Sequence, residues 1–236
     1  MSDFSFKQFT ISQNRCAQKV STDACIFGAW VTEKMDLPTR VLDIGAGTGL
    51  LMLMIAQKSN AIIDGIEIDD HSFEELQENL RKAEFSSRVF AVKGDARNFL
   101  FPHEYDLIIS NPPFYENQLL SENAHKNIAW HSSMLKLEEL FTVVKKNLSS
   151  TGKFAIIIPF ARIEETIEFA SNIGLHANQQ ALIRHSLHHE YTRVLLLFTY
   201  KEDLFQKEII NIKELDGRYS VRMIELLDDY YLNIRF

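Results

Sequence analysis

Four residues, Asn111, Pro112, Pro113 and Phe114, follow directly on the aliphatic run 105–110. Each proline has a fixed φ and no N–H, and each biases its predecessor to extended backbone. The segment therefore offers acceptors, the Asn111 side-chain oxygen and the Pro112 carbonyl, and few donors beyond the Asn111 amide group. Two acceptors can hold both hydrogens of a planar exocyclic amine and turn its nitrogen toward an electrophile, a reaction driven mainly by positioning. Phe114 supplies a face on which a planar base can stack, and Tyr115 follows it. Alone, such a segment is also compatible with a strand-ending turn over buried aromatics.

A second group of residues could hold a cationic ligand. Asp43 precedes a loop with Gly45, Ala46, Gly47 and Gly49. Glycine serves where backbone turns tightly or approaches a ligand closely. The spacing is one residue short of the dinucleotide fingerprint, and the Asp43 carboxylate would repel a diphosphate but suit an amino group or a sulfonium. Glu67, about 20 residues beyond the loop, is placed to accept from ribose hydroxyls, with Ile68 next to it. Asp95 and the Ala96 N–H could pair with an adenine ring edge, although Asp95 also reads as the cap of a following helix.

These residues need a scaffold that brings them to one rim. Strands are expected at 40–44, 61–68, 88–93, 105–110, 153–159, 181–185 and 194–201, and helices at 50–58, 70–84, 135–148 and 163–173, with a short one in 217–232. Asp69 or Asp70 would cap the second helix and Gly174 would stop the fourth. Alternation of strand and helix predicts an α/β fold, a mostly parallel sheet covered on both faces. The last two strands lack an intervening helix, so one of them should run antiparallel. Ligands in such sheets bind beyond the carboxyl ends of the strands at the switch point. That is where Asp43, Glu67, Asp95 and Asn111 would gather. Residues 116–131 are polar and irregular, a candidate lid.

The four strand tips together resemble the S-adenosylmethionine site of class I methyltransferases. Residues 111–114 resemble the Asn/Asp-Pro-Pro-Tyr/Phe motif of amino-methyltransferases that act on adenine N6, guanine N2, cytosine N4 or protein glutamine. The N-terminal block is more specific: Phe6-Lys7-Gln8-Phe9, Cys16-Ala17, Lys19-Val20, Thr22-Asp23 and Gly28-Ala29-Trp30. It resembles the start of the bacterial tRNA(Val) adenine-37 N6-methyltransferases, and the likeness runs on through 42–51, 105–115, 193–198 and the terminal tyrosines. Departures are Gln18, Ser21, Phe114 where Tyr is common, and Trp130 where an Arg is expected.

The resemblance implies a Rossmann-like class I methyltransferase with a seven-stranded sheet, one strand antiparallel, in a single domain 1–236. Within it, 1–35 would form a flap and 36–236 the catalytic core. It implies S-adenosylmethionine as methyl donor, bound by the rim residues with Lys19 and Thr22, and a tRNA substrate. Arg15, Lys19, Tyr115, Trp130, Arg162, Arg184 and Arg193 become candidate RNA contacts. Thr22 or Asp23 could equally cap the first helix. Another amino-methyltransferase, of guanine N2, DNA adenine or protein glutamine, and a non-catalytic cofactor-binding RNA chaperone remain alternatives.

Composition sets outer limits. A chain of 236 residues can bury one substantial core. The net charge of −7 argues weakly against nucleic acid as partner, though a local basic patch can coexist with an acidic whole. Two cysteines do not make a disulfide framework. His185, His188 and His189 lack a carboxylate or cysteine at ligand spacing, so no metal is expected. With no signal-like start and no long apolar stretch, the expectation is a soluble, cytoplasmic monomer.

Overall fold

A computed structural model describes residues 3–16, 18–113 and 135–234. The described chain begins with a small hairpin, β1 (Phe4–Ser5) and β2 (Thr10–Ile11), and then helix α1 (Thr22–Lys34). The core follows as β3 (Arg40–Ile44), α2 (Leu50–Lys58), β4 (Ile62–Glu67), α3 (Asp70–Lys82), β5 (Val89–Lys93) and β6 (Tyr105–Ser110). After residues 111–136 come α4 (Leu137–Asn147), β7 (Leu148–Pro159), a short 3₁₀ turn (Phe160–Arg162) and α5 (Ile163–Asn172). The chain closes with β8 (His176–Arg184), β9 (Tyr191–Thr199), β10 (Gln206–Asn211) and α6 (Val221–Leu227).

The main sheet has the order β10-β8-β9-β7-β6-β3-β4-β5. Strand β9 runs antiparallel to both neighbours, β7 and β8, and the remaining pairs are parallel. The expected single antiparallel strand is therefore present, but the sheet has eight strands rather than seven. The added strand β10 reads QKEIIN, with Ile210 buried and Ile209 45 % exposed. An edge strand with one solvated face carries no continuous aliphatic run, so its sequence did not announce it. β8 starts at His176 and β7 at Leu148, earlier than expected, through stretches whose polar residues interrupt the aliphatic pattern.

Strand side chains alternate between two cores. Val41, Ile63, Leu107 and Ile109 face α1, α2, α3 and α6, whereas Leu42, Ile44, Ile108 and Ile156 face α4 and α5. Asp43 shares the parity of Val41, so its carboxylate lies on the α2 side. The chain order reverses at β3, which has β4 on one side and β6 on the other. The crevice beyond the carboxyl ends of β3 and β6 is thus the switch point.

Candidate functional site

The loop after β3 is fixed from below by β4. Gly45 N–H and Ala46 N–H both donate to the Ile66 carbonyl, at 3.0 and 3.1 Å. Gly47 N–H donates to Glu67 Oε2 at 2.9 Å, and Asp69 N–H donates to Glu67 Oε1 at 2.8 Å. Glu67 is therefore held in place by the loop it faces and by its own strand's exit, each oxygen accepting one hydrogen bond among the described residues and able to accept another. Gly45 and Gly47 have φ of +78° and +54°, and a Cβ on either would meet nothing within 4 Å. They need glycine for backbone conformation, and open space lies where a ligand would approach. Gly49 differs: its Cβ would fall 2.7 Å from Leu76 Cδ1, so it serves the contact between α2 and α3.

Asp43 is 1 % exposed, and neither carboxylate oxygen has a hydrogen-bond partner among the described residues. Burial, and secondarily the nearby Glu67 charge, push its carboxyl up to about 8. A buried carboxylate without partners is costly. A cation supplied by a ligand would remove that cost, so the residues present fit an aminoacyl sulfonium of the expected kind. Ile68, 44 % exposed at the tip of β4, adds an apolar surface on the same rim.

Asp95 sits at the tip of β5, but its side chain is engaged. Arg97 donates to it from Nε at 2.9 and 3.0 Å and from Nη2 at 2.7 Å, and also reaches Glu139. Those hydrogen bonds hold the Asp95 carboxyl below its ordinary value. An adenine amino group would share Asp95 with Arg97, and the Arg97 partner is a residue that the sequence reading missed. Ala96 is partly buried beside it.

Ser110, the last residue of β6, pairs in register with Ile44 and donates from Oγ to the Ile44 carbonyl at 2.8 Å. This places Asn111, Pro112 and Pro113 alongside Gly45. Pro112 is buried, and Asn111 and Pro113 are partly exposed. Phe114, Tyr115, Trp130 and the candidate lid 116–131 lie outside the described residues.

The N-terminal segment is strapped across α3. Asn79 Oδ1 accepts from Ser12 N–H, and Asn79 Nδ2 donates to the Ser12 and Thr48 carbonyls, each at 2.9 Å. Glu75 accepts from the backbone amides of Asn14, Arg15 and Cys16 at 2.6, 3.2 and 2.9 Å. Burial would raise its carboxyl, but the three amides outweigh burial and hold it below its ordinary value. Asn79 thus links the N-terminal segment to the glycine loop. Neither residue stood out in the sequence, because a polar residue in a helix reads first as a solvated face.

Helix α1 is capped by Ser21, whose side chain accepts from Ala24 N–H at 3.2 Å, not by Thr22 or Asp23. The candidate RNA cations are spread widely and are engaged. Arg15 pairs with Glu74 and Glu78, Arg162 with Glu165, and Arg193 with Asp23, while Arg184 donates to Asn211 at 2.7 Å. Lys19 and Thr22 are exposed near the strap. Trp30, fully buried, donates from Nε1 to Glu208 at 2.8 Å, so part of the distinctive N-terminal block anchors the extra edge strand. Among the described residues, no group of three or more side chains is placed to hold a metal ion, and no helix is long and apolar enough to cross a membrane.

Residues 28–159 match the methyltransferase small domain family. The chain is 40 % identical over 235 residues to the tRNA1(Val) (adenine(37)-N6)-methyltransferase of Dyadobacter fermentans, covering 97 % of each. It is 34 % identical to the protein of the same name from Tolumonas auensis, covering 98 % of this chain and 97 % of the other. Among solved structures, a predicted O-methyltransferase from Agrobacterium tumefaciens matches with a TM-score of 0.69 at 16 % identity, over 87 % of this chain and 95 % of that one. A glycopeptide N-methyltransferase complexed with S-adenosyl-L-methionine matches with a TM-score of 0.57 at 12 % identity, over 75 % of this chain and 87 % of that one.

Proposed function

The chain belongs to the methyltransferase small domain family and, within it, to the tRNA1(Val) (adenine(37)-N6)-methyltransferases, and from that membership we propose that Asn111 and Pro112 present adenine N6 for methylation. The enzyme is an S-adenosylmethionine-dependent methyltransferase whose substrate is the adenine at position 37 of tRNA1(Val). S-adenosylmethionine supplies, when bound, an electrophilic methyl group on a sulfonium sulfur. Asp43 would compensate the positive charge of the aminoacyl sulfonium, Glu67 would accept from ribose hydroxyls, and Asp95 with the Ala96 N–H would meet the adenine edge. The open faces of Gly45 and Gly47 leave room for that approach.

Asn111 Oδ1 and the Pro112 carbonyl accept the two N6 hydrogens, which turns the amine nitrogen out toward the electrophile. As the N–C bond forms, the methyl–sulfur bond would break and the donor leave as a neutral thioether, and the proton shed by the nitrogen would pass by way of these acceptors to solvent. No strong base is required before attack. The acceleration comes from holding the amine in line. Phe114 would stack on the extruded base, and unpaired anticodon-loop bases suit such extrusion. Residues 1–35 act with the core as one domain, and the enzyme works as a monomer in the cytoplasm, where its tRNA is.

The observation that carries this reading is the β3–β6 register. Ile44 faces Ser110, so a donor-poor Asn-Pro-Pro segment leaves the sheet beside the loop that follows an unpartnered buried carboxylate. The test is to incubate the protein and labelled S-adenosylmethionine with bulk tRNA from a strain lacking the modification, then to map the labelled nucleoside. N6-methyladenosine at position 37 of tRNA1(Val) is expected. N2-methylguanosine, or label in protein, would overturn the assignment.

A further inference from the structure

Two aromatic rings stand on the same rim, one and two strands away from Asn111. Phe160 follows Pro159 at the end of β7, and Tyr191 opens β9. Their ring centroids lie 5.3 Å apart at an interplanar angle of 40°. The Arg184 guanidinium lies 5.2 Å from the centre of the Tyr191 ring and is fixed by its bond to Asn211. Phe160 remains 38 % exposed, and Tyr191 is only partly buried.

Register relates this pair to the reacting site. Ser110 faces Ile156 across β6 and β7, and both strands run the same way. β6 ends at Ser110 while β7 stays paired with β9 as far as Pro159, so Phe160 stands three residues beyond the level of Asn111 by residue count, on a strand roughly 4.8 Å away. Charge favours a polyanion over an apolar partner. In residues 184–193, Arg184 is bonded to Asn211 rather than to an acid, Arg193 is paired with Asp23, and Glu190 is the single acid of the stretch, in a chain of net charge −7.

We propose that Phe160 and Tyr191, backed by the Arg184 guanidinium, form a stacking platform for an unpaired RNA base next to the nucleotide that reacts at Asn111. The platform rests on the tRNA reading above and adds to it a second base-binding subsite. Stacking on aromatic rings is tolerant of base identity, and a neighbouring arginine strengthens it. It would hold the loop while the target base is turned into the site.

The experiment compares steady-state methylation of tRNA by wild type, Phe160→Ala, Phe160→Leu, Phe160→Trp and Tyr191→Ala, together with S-adenosylhomocysteine affinity for each. Phe160→Ala is expected to raise the tRNA KM roughly 5- to 100-fold, with kcat within about twofold and the S-adenosylhomocysteine affinity unchanged. Phe160→Leu keeps apolar volume without a ring and should share that defect, whereas Phe160→Trp should restore the wild-type KM. A normal KM in both Phe160→Leu and Tyr191→Ala, with wild type active, would remove the platform and leave the functional reading standing. Wild type inactive on tRNA would remove both.

Discussion

Ser110 Oγ donates to the Ile44 carbonyl over 2.8 Å and ties the last residue of β6 to the last residue of β3. At the opposite end of the same pair, Asp106 accepts from Thr39 N–H, Thr39 Oγ1 and Arg40 N–H at 2.9, 2.6 and 3.1 Å. The two strands that carry Asp43 and Asn111 are therefore clamped at both ends. Sheet hydrogen bonds alone would leave the tips to fray; these side chains do not.

Ser110→Ala removes the upper clamp and leaves a buried carbonyl without its partner, at a cost of about 1–3 kcal/mol. Because Asn111 comes next, kcat should fall by roughly tenfold or more while S-adenosylhomocysteine still binds. Calorimetric binding and single-turnover methylation check this. Unchanged kcat in a destabilised variant would confine Ser110 to folding.

Asn111→Ala takes one of the two amine acceptors away. Methyl transfer should drop by about 10²-fold or more, with cofactor and tRNA affinities close to wild type. Asn111→Asp keeps an acceptor at the same place and should retain more activity than the alanine variant. Equal activity in Asn111→Ala and wild type would end the proposed role of the ledge.

Asp43 sets a pH dependence whose sign is fixed by its surroundings. Burial, then the Glu67 charge, hold its folded value at about 8, well above the ~3.9 of an unfolded chain. The folded state thus binds the proton more tightly, and the stability this contributes is complete below about pH 4 and lost as pH rises through about 8. Melting of ligand-free wild type and Asp43→Asn should coincide in acid. The two should then separate toward alkaline pH, with the variant the more stable. In the same variant, S-adenosylmethionine, which carries the sulfonium charge, should bind more weakly. A stability gap that does not change between pH 5 and pH 9 would contradict this.

Asn79→Ala deletes three buried hydrogen bonds that join Ser12 and Thr48 to α3. The expected loss is about 2–3 kcal/mol, or roughly 4–12 °C in melting temperature. Cofactor affinity should fall as well, since Thr48 belongs to the glycine loop. Hydrogen exchange should show opening concentrated in residues 12–16 and 45–49. Exchange spread evenly over the chain would argue against a local strap.

Several parts of the site were legible because their physics is local. Glycines with positive φ, the proline pair and the continuous aliphatic strands each carry their constraint in adjacent residues. Asp69 was readable as the cap of α3, and it does accept from Ser72 N–H at 2.8 Å. What escaped were partners far apart in sequence: Glu75 under residues 14–16, Asn79 between Ser12 and Thr48, and Glu208 receiving Trp30. The cap of α1 was misplaced by one residue, because serine, threonine and aspartate at 21–23 all qualify chemically and only backbone geometry selects Ser21. Arginines that looked available for phosphate proved to face acids such as Glu74, Asp23 and Glu165.

The sequence by itself determined the alternating fold, the acidic and glycine-bearing tips, and the donor-poor ledge, since these follow from periodicity, backbone sterics and residue chemistry. Tertiary structure decided the eighth strand, which is stabilised by pairing with β8 and by Trp30 rather than by its own apolar pattern. It also decided that Asp43 is buried without partners while Asp95 is not, and that Phe160 and Tyr191 meet. Desolvation and contact are properties of neighbours in space, and strand order and register choose those neighbours.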